Sequence, residues 1–90
     1  GTAALMNYLS SNIKYPTISQ ETGSQGKVIV QFVVDRDGTI SNPEVVRGVD
    51  PYLDKEAIRV ISSMPKWTPG VQNGKKVRVK YTVPVSFRLQ

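Results

Sequence analysis

Val77-Arg78-Val79-Lys80-Tyr81-Thr82-Val83-Pro84-Val85-Ser86-Phe87-Arg88-Leu89 alternates apolar and polar residues from end to end. A period of two makes a strand with one face in the core and one in water. Val77, Val79, Tyr81, Val83, Val85, Phe87 and Leu89 take the inner face; Arg78, Lys80, Thr82, Pro84, Ser86 and Arg88 take the outer. A companion strand runs over Lys27–Asp35, with Val28, Val30, Phe32 and Val34 on one side. Its other side, Ile29, Gln31, Val33 and Asp35, is half apolar, as suits a central strand covered in part on both faces. Asp35-Arg36-Asp37-Gly38 supplies turn chemistry, Gly38 being free to take a positive φ. A further strand follows from Thr39 to about Arg47, and its Pro43, with no N–H to give a ladder, favours an edge or a bulge.

Two helices flank these strands. In Ala3–Ile13, Leu5, Leu9 and Ile13 share a face, and Tyr15-Pro16 stops the helix because a residue before proline leaves the helical region. The polar stretch Ser19–Gly26 reads as a loop. Asp50-Pro51 opens the second helix, with Asp50 as N-cap, Pro51 at the first helical position, and Asp54 and Glu56 near the positive end of the dipole. Leu53, Ala57, Val60, Ile61 and Met64 form its apolar stripe. Pro65 ends it, Lys66–Gly70 turns the chain, and Asn73-Gly74 makes a second tight turn. The order is α-β-β-α-β. The expected fold is α+β in two layers: a three-stranded antiparallel sheet, order 2-1-3, with both helices on one face. The strand–helix–strand connection is right-handed and makes the outer strands parallel to each other, so the last strand is an edge.

The chain has 90 residues, enough for a single domain over 1–90 with one core. It has no cysteine and no histidine. That removes disulfides, the commonest general base, the thiol nucleophile and most transition-metal ligands. Asp35 and Asp37 are explained by their turn, and there is no phosphate-binding glycine motif. No catalytic residue, metal or cofactor is expected. No apolar run is long enough to cross a membrane. Without an initial methionine the chain reads as a fragment, Gly1 as a cloning remnant, and any anchor as lying elsewhere.

The formal charge is +5, and the last acidic residue is Glu56. Arg59, Lys66, Lys75, Lys76, Arg78, Lys80 and Arg88 follow it. This basic third reads either as solvated surface or as a docking face for an acidic partner. Nucleic acid is disfavoured, because Tyr81 and Phe87 fall on the face opposite the charges of the last strand.

Several pieces in fixed order resemble the TonB C-terminal domain family. They are Tyr15-Pro16 after a short helix, Gly26–Val34 running into Asp37-Gly38, Leu53–Ala57, Trp67-Thr68-Pro69-Gly70, and the closing Val77–Phe87 strand. Met64–Trp67 and Tyr81–Phe87 are similar to the Bacteroidota-type version. The resemblance spans about Leu5 to Leu89 and is specific as a series rather than in any one piece. It implies a periplasmic domain of an inner-membrane-anchored energy transducer for nutrient uptake. Its implied partners are outer-membrane TonB-dependent receptors, siderophore or glycan importers among them, and, through an absent N-terminal region, proton-driven motor proteins. The same fold appended to a membrane sensor or protease is the competing implication.

In that family a receptor segment, the TonB box, adds to the sheet beside the last strand. Carried onto this chain, the partner-strand residues are Val77, Arg78, Val79, Lys80, Tyr81, Thr82 and Val83, with Tyr15 and Pro16 as receptor contacts. Chain logic sharpens this. Pro84 has no N–H and so belongs on the side away from the inner ladder, which turns Arg78, Lys80 and Thr82 outward as well. Trp67, Pro84, Asp50 and Gly38 carry structural roles, Trp67 as a core plug at the helix exit. An open edge near the terminus also leaves strand-exchanged homodimers open.

Overall fold

The computed structural model describes residues 2–90; Gly1 lies outside the described residues. The elements are α1 (Thr2–Asn12), α2 (Thr17–Glu21), β1 (Gly26–Val34), β2 (Ile40–Arg47), α3 (Pro51–Ser62), β3 (Gly70–Gln72), β4 (Lys75–Val77) and β5 (Val79–Phe87). β2, β1 and β5 form a three-stranded antiparallel sheet in that order, the topology expected from the alternation. Val28, Val30, Phe32 and Val34 of β1 are fully buried beside Val83, Val85 and Phe87 of β5. Leu5 and Leu9 of α1 and Leu53, Ala57, Val60 and Ile61 of α3 complete the same core. Both helices therefore cover one face of the sheet, and the outer face keeps the half-exposed Ile29, Gln31 and Val33. β2 is an edge strand with register shifts against β1, one of them where Asn42-Pro43 passes Phe32. Asn42 takes a φ of 50° there.

The ends of the elements are fixed by side chains. Asp50 caps α3 by accepting the Leu53 amide at 2.7 Å, and its other oxygen accepts the Ser19 hydroxyl at 2.9 Å. Burial alone would raise the Asp50 pKa, but hydrogen bonds from Ser24, the Leu53 amide and Ser19 outweigh it and hold the carboxyl below its usual value. Ser19 is thus fully buried, on a short helix that the polar Ser19–Gly26 stretch did not announce. Pro16 opens that helix with a φ of −60°, so Tyr15-Pro16 ends one segment and starts the next.

One expectation for the last strand needs correction. Val77–Leu89 is not one strand: Val79 is the final partner of β1, opposite Val34. Beyond that pair β1 has turned away, and the residues before Val79 find another partner in the segment just upstream. β3 and β4 form a separate two-stranded sheet, Gly70 opposite Val77 and Gln72 opposite Lys75. Its turn is Asn73-Gly74, with φ of 53° and 75°, the positive pair that a two-residue hairpin of the right twist requires. The hairpin carries the chain past the end of β1, in keeping with a molecule 50 Å long and 22 by 15 Å across.

Candidate functional site

β5 pairs with β1 along its whole inner edge, from Gly26 opposite Phe87 to Val34 opposite Val79. Among the described residues no strand pairs with its outer edge. Pro84 stands opposite Ile29 in a ladder with no register shift. Proline cannot donate, so this pair must be one of the non-hydrogen-bonded pairs of an antiparallel ladder. Alternation then turns the backbone N–H and C=O of Lys80, Thr82 and Ser86 to the free edge, and Pro84 interrupts that row of donors. Val83 and Val85 are buried beneath it, which keeps the edge straight and anchored. The Thr82 hydroxyl faces the outer side, where it accepts from Gln31 Nε2 at 3.3 Å.

Val79, Lys80, Tyr81, Thr82 and Val83 thus share β5 and its edge. Val77 and Arg78 stand apart from them. Val77 pairs with Gly70 in the hairpin, and Arg78 occupies the break between β4 and β5. The Arg78 guanidinium donates from Nε to Asp35 at 2.7 Å, at the end of β1. Tyr15 packs edge-on against Phe87 at 5.5 Å between ring centroids, and its hydroxyl donates to the Ser24 carbonyl. Phe87 is five residues along the strand from Thr82, about 17 Å at the usual rise. Tyr15 and Pro16 therefore mark the far end of β5.

Trp67 does more than plug the core. It lies edge-on to Phe32 at 5.4 Å and against Tyr81 at 5.0 Å, while Tyr81 stacks on Phe32 at 5.8 Å. Its amide donates to the Gly38 carbonyl at 2.9 Å. Gly38, at a φ of +87°, is buried so close under the Trp67 carbonyl that a Cβ would collide with it. The free side of Trp67 opens onto a groove of about 650 Å³ that sequence reasoning missed. Leu5, Met6 and Tyr8 of α1 form one wall, Met64 and Trp67 the other, and Tyr81–Pro84 of β5 the floor. The signal was present but scattered: this groove gathers both methionines and the single tryptophan of the chain. Among the described residues no cluster of acidic side chains could hold a metal, and no helix is long and apolar enough to cross a membrane.

Residues 11–89 match the model of one protein family, the Gram-negative bacterial TonB protein C-terminal. The chain belongs to this family. Protein TonB of Haemophilus influenzae is 32% identical over 85 residues, which cover 90% of this chain and 32% of that protein. Protein TonB of Helicobacter pylori is 26% identical over 83 residues, 91% of this chain and 28% of its own length. The chain therefore spans about a third of the curated relatives it matches. Two NMR solution structures of the Helicobacter pylori TonB-CTD share the fold. One has a TM-score of 0.73 at 24% identity and covers 94% of this chain and 77% of its own. The other has a TM-score of 0.74 at 24% identity and covers 97% and 91%. This is a TonB-type domain with the family's sheet.

Proposed function

We propose that this TonB-type domain grips an extended segment of an outer-membrane receptor by adding it as a strand to the free edge of β5. In this reading the parent protein is anchored in the inner membrane and works with a proton-driven motor there. The domain acts in the periplasm as the gripping end of the link that powers nutrient uptake. It binds and transmits force, and no step of it calls for catalysis. The observation that carries the reading is the outward row at Lys80 and Thr82, unpaired and bounded by Pro84.

An unpaired strand edge is a template for another strand. The N–H and C=O of Lys80 and Thr82, with the Pro84 carbonyl, offer four or five hydrogen bonds of roughly 1 kcal/mol net each. About 4–5 kcal/mol corresponds to a dissociation constant near the millimolar range. Such a grip releases readily. Its resistance to pulling is a separate quantity, set by how many bonds bear load together.

Titration with peptides from receptor N-terminal segments tests this through amide exchange. Lys80 and Thr82 amides exchange fast in the free domain and become protected on binding. Thr82→Pro removes the central outward donor at a position equivalent to Pro84, which β5 already tolerates. It abolishes binding with the fold retained. Unprotected amides in the presence of bound peptide, or normal binding by the variant, would defeat the proposal.

A further inference from the structure

Asn73 and Gly74 form the turn of the β3–β4 hairpin, and both are exposed. An asparagine carboxamide carbon is one five-membered ring away from the backbone nitrogen that follows it. Attack by that nitrogen is ordinarily hindered by the next side chain and by a hydrogen bond that holds the N–H. Neither obstacle is present here. Gly74 has no side chain, and nothing lies within 4 Å of where its Cβ would stand. The ladder closes at Gln72 opposite Lys75, which leaves the Gly74 N–H outside the strand pairing. Lys75 and Lys76 follow at once, and nearby positive charge favours loss of the amide proton that attack requires. The chain's other asparagines are Asn7, Asn12 and Asn42, and each is closed off. Asn7 lies inside α1, where the amide after it belongs to the helix ladder. The Asn12 carboxamide donates to the Tyr8 carbonyl at 2.9 Å, and the Ile13 amide beyond it donates to the Leu9 carbonyl at 2.9 Å. Asn42 is followed by Pro43, which has no N–H to lose.

We propose that Asn73 is a site of spontaneous covalent modification, with water as its only co-reactant. The Gly74 nitrogen gives up its proton and bonds to the Asn73 side-chain carbonyl carbon. The carboxamide C–N bond breaks, and its nitrogen leaves as ammonia with that proton. The ring left behind is an imide, and water opens it at either of two carbonyls. Opening at the side-chain carbonyl gives aspartate; opening at the main-chain carbonyl gives isoaspartate, whose chain runs on through the side-chain carbon. Ring closure requires the turn to open, and a hairpin of two three-residue strands opens locally at little cost. Isoaspartate lengthens the main chain by one carbon in a turn built for two residues at φ of 53° and 75°. It therefore breaks the pairing of Val71 with Lys76 and of Gln72 with Lys75. Either product also puts the first acidic side chain after Glu56 into the basic third of the chain.

The test incubates the domain in mildly alkaline buffer at body temperature and follows it by peptide mapping and by labelling with an isoaspartyl methyltransferase. Residue 73 gains the mass of an amide-to-acid exchange at least tenfold faster than Asn7 or Asn12, and isoaspartate is the larger product. Gly74→Ala slows the reaction at least tenfold, although a side chain there loosens the turn. Asn73→Gly, which keeps the positive φ, abolishes it. The isolated isoaspartyl form loses amide protection over residues 70–77 and keeps it in the ladder of β1 and β5. Equal rates at Asn73, Asn7 and Asn12 overturn the proposal. Aspartate without isoaspartate, or an unaltered rate in Gly74→Ala, overturns the ring. Full protection of the hairpin in the isoaspartyl form overturns the loss of pairing.

Discussion

Glu56 follows Leu53 by three residues and precedes Val60 by four, so α3 turns it inward with them and leaves it only 8% exposed. A carboxylate at such a place is costly unless it is answered. The Lys14 amide donates to it at 2.6 Å, and Arg59 donates from Nε at 2.6 Å and from Nη2 at 2.8 Å. Arg59 also reaches the Asn12 carbonyl at 2.9 Å, at the end of α1. One acidic residue thus fastens the exit of α1 to the flank of α3. Burial alone would raise its pKa, but Arg59 and the Lys14 amide outweigh that and hold it below the ordinary value. Glu56→Leu continues the apolar stripe but strands the Lys14 N–H. The expected loss is about 1–3 kcal/mol in urea unfolding, with Glu56→Gln losing less. An unchanged unfolding midpoint for Glu56→Leu would remove the clamp from the account. The sequence marks Glu56 only as a charge near the positive end of the α3 dipole; its burial depends on α1 ending against it.

The hairpin of β3 and β4 is shaped by its own turn and meets the main sheet where Gly70 sits against the Val79 side chain. Its strand partners are internal, and Val71, on its flank, is 65% exposed. Asn73→Ala with Gly74→Ala puts side chains that resist positive φ at both turn positions. The expected result is loss of amide protection over residues 70–77, with global stability within about 0.5 kcal/mol of the parent, as for surface changes generally. A large fall in the global midpoint would mean that the hairpin supports the main sheet. Asn-Gly between Gln72 and Lys75 is a hairpin signal in its own right. The sequence marks it as a turn and no more, because the unbroken alternation of Val77–Leu89 suggests one long strand. Alternation reports which face a side chain takes, not which strand it pairs with; the break at Arg78 depends on where β1 stops. Ser19 reads as a loop residue for a similar reason. A serine carries no apolar signal, and its burial follows from the Asp50 cap, a partner far along the chain. The central strand, the 2-1-3 order and the Asp50-Pro51 helix start were legible because each rests on local chemistry. At the candidate site the same local chemistry reached Lys80, Thr82 and Pro84, whereas the groove needed α1, the α3 exit and β5 brought together.

At the scale of the whole molecule, a chain without histidine or cysteine has no ordinary side-chain titration between about pH 5 and 9. Its dependence of stability on pH is therefore confined to the two ends. On the acid side Asp37, Asp50 and Glu56 all have pKa values below their ordinary ones. For Asp37 the largest cause is the Thr39 amide, which donates to its Oδ1 at 2.9 Å. A carboxyl that ionises more readily folded than unfolded stabilises the fold above its unfolded pKa. That contribution is lost as pH falls from about 4 through the lower folded value. Protonation of the carboxylates also leaves 12 Lys and Arg without counter-charge, so repulsion adds to the loss. On the alkaline side the Tyr15 pKa is raised, first by burial and then by the charge of Asp50, and its neutral hydroxyl donates to the Ser24 carbonyl. The neutral form is the one the fold favours, so its contribution is whole below about pH 10 and lost as pH rises through the higher folded value. The expected profile of unfolding midpoint against pH is a plateau with a fall at each end. Asp50→Asn shallows the acid fall and, by removing a charge that helps raise Tyr15, lessens the alkaline one in part; Tyr15→Phe lessens the alkaline fall and leaves the acid one. Strand addition through backbone groups titrates with neither, so peptide affinity stays level across the plateau and drops only where the fold itself does. Apart from the terminal amine, a midpoint that slopes between about pH 5 and 9, or an affinity that varies there while stability does not, would require a titrating side chain that the sequence does not contain.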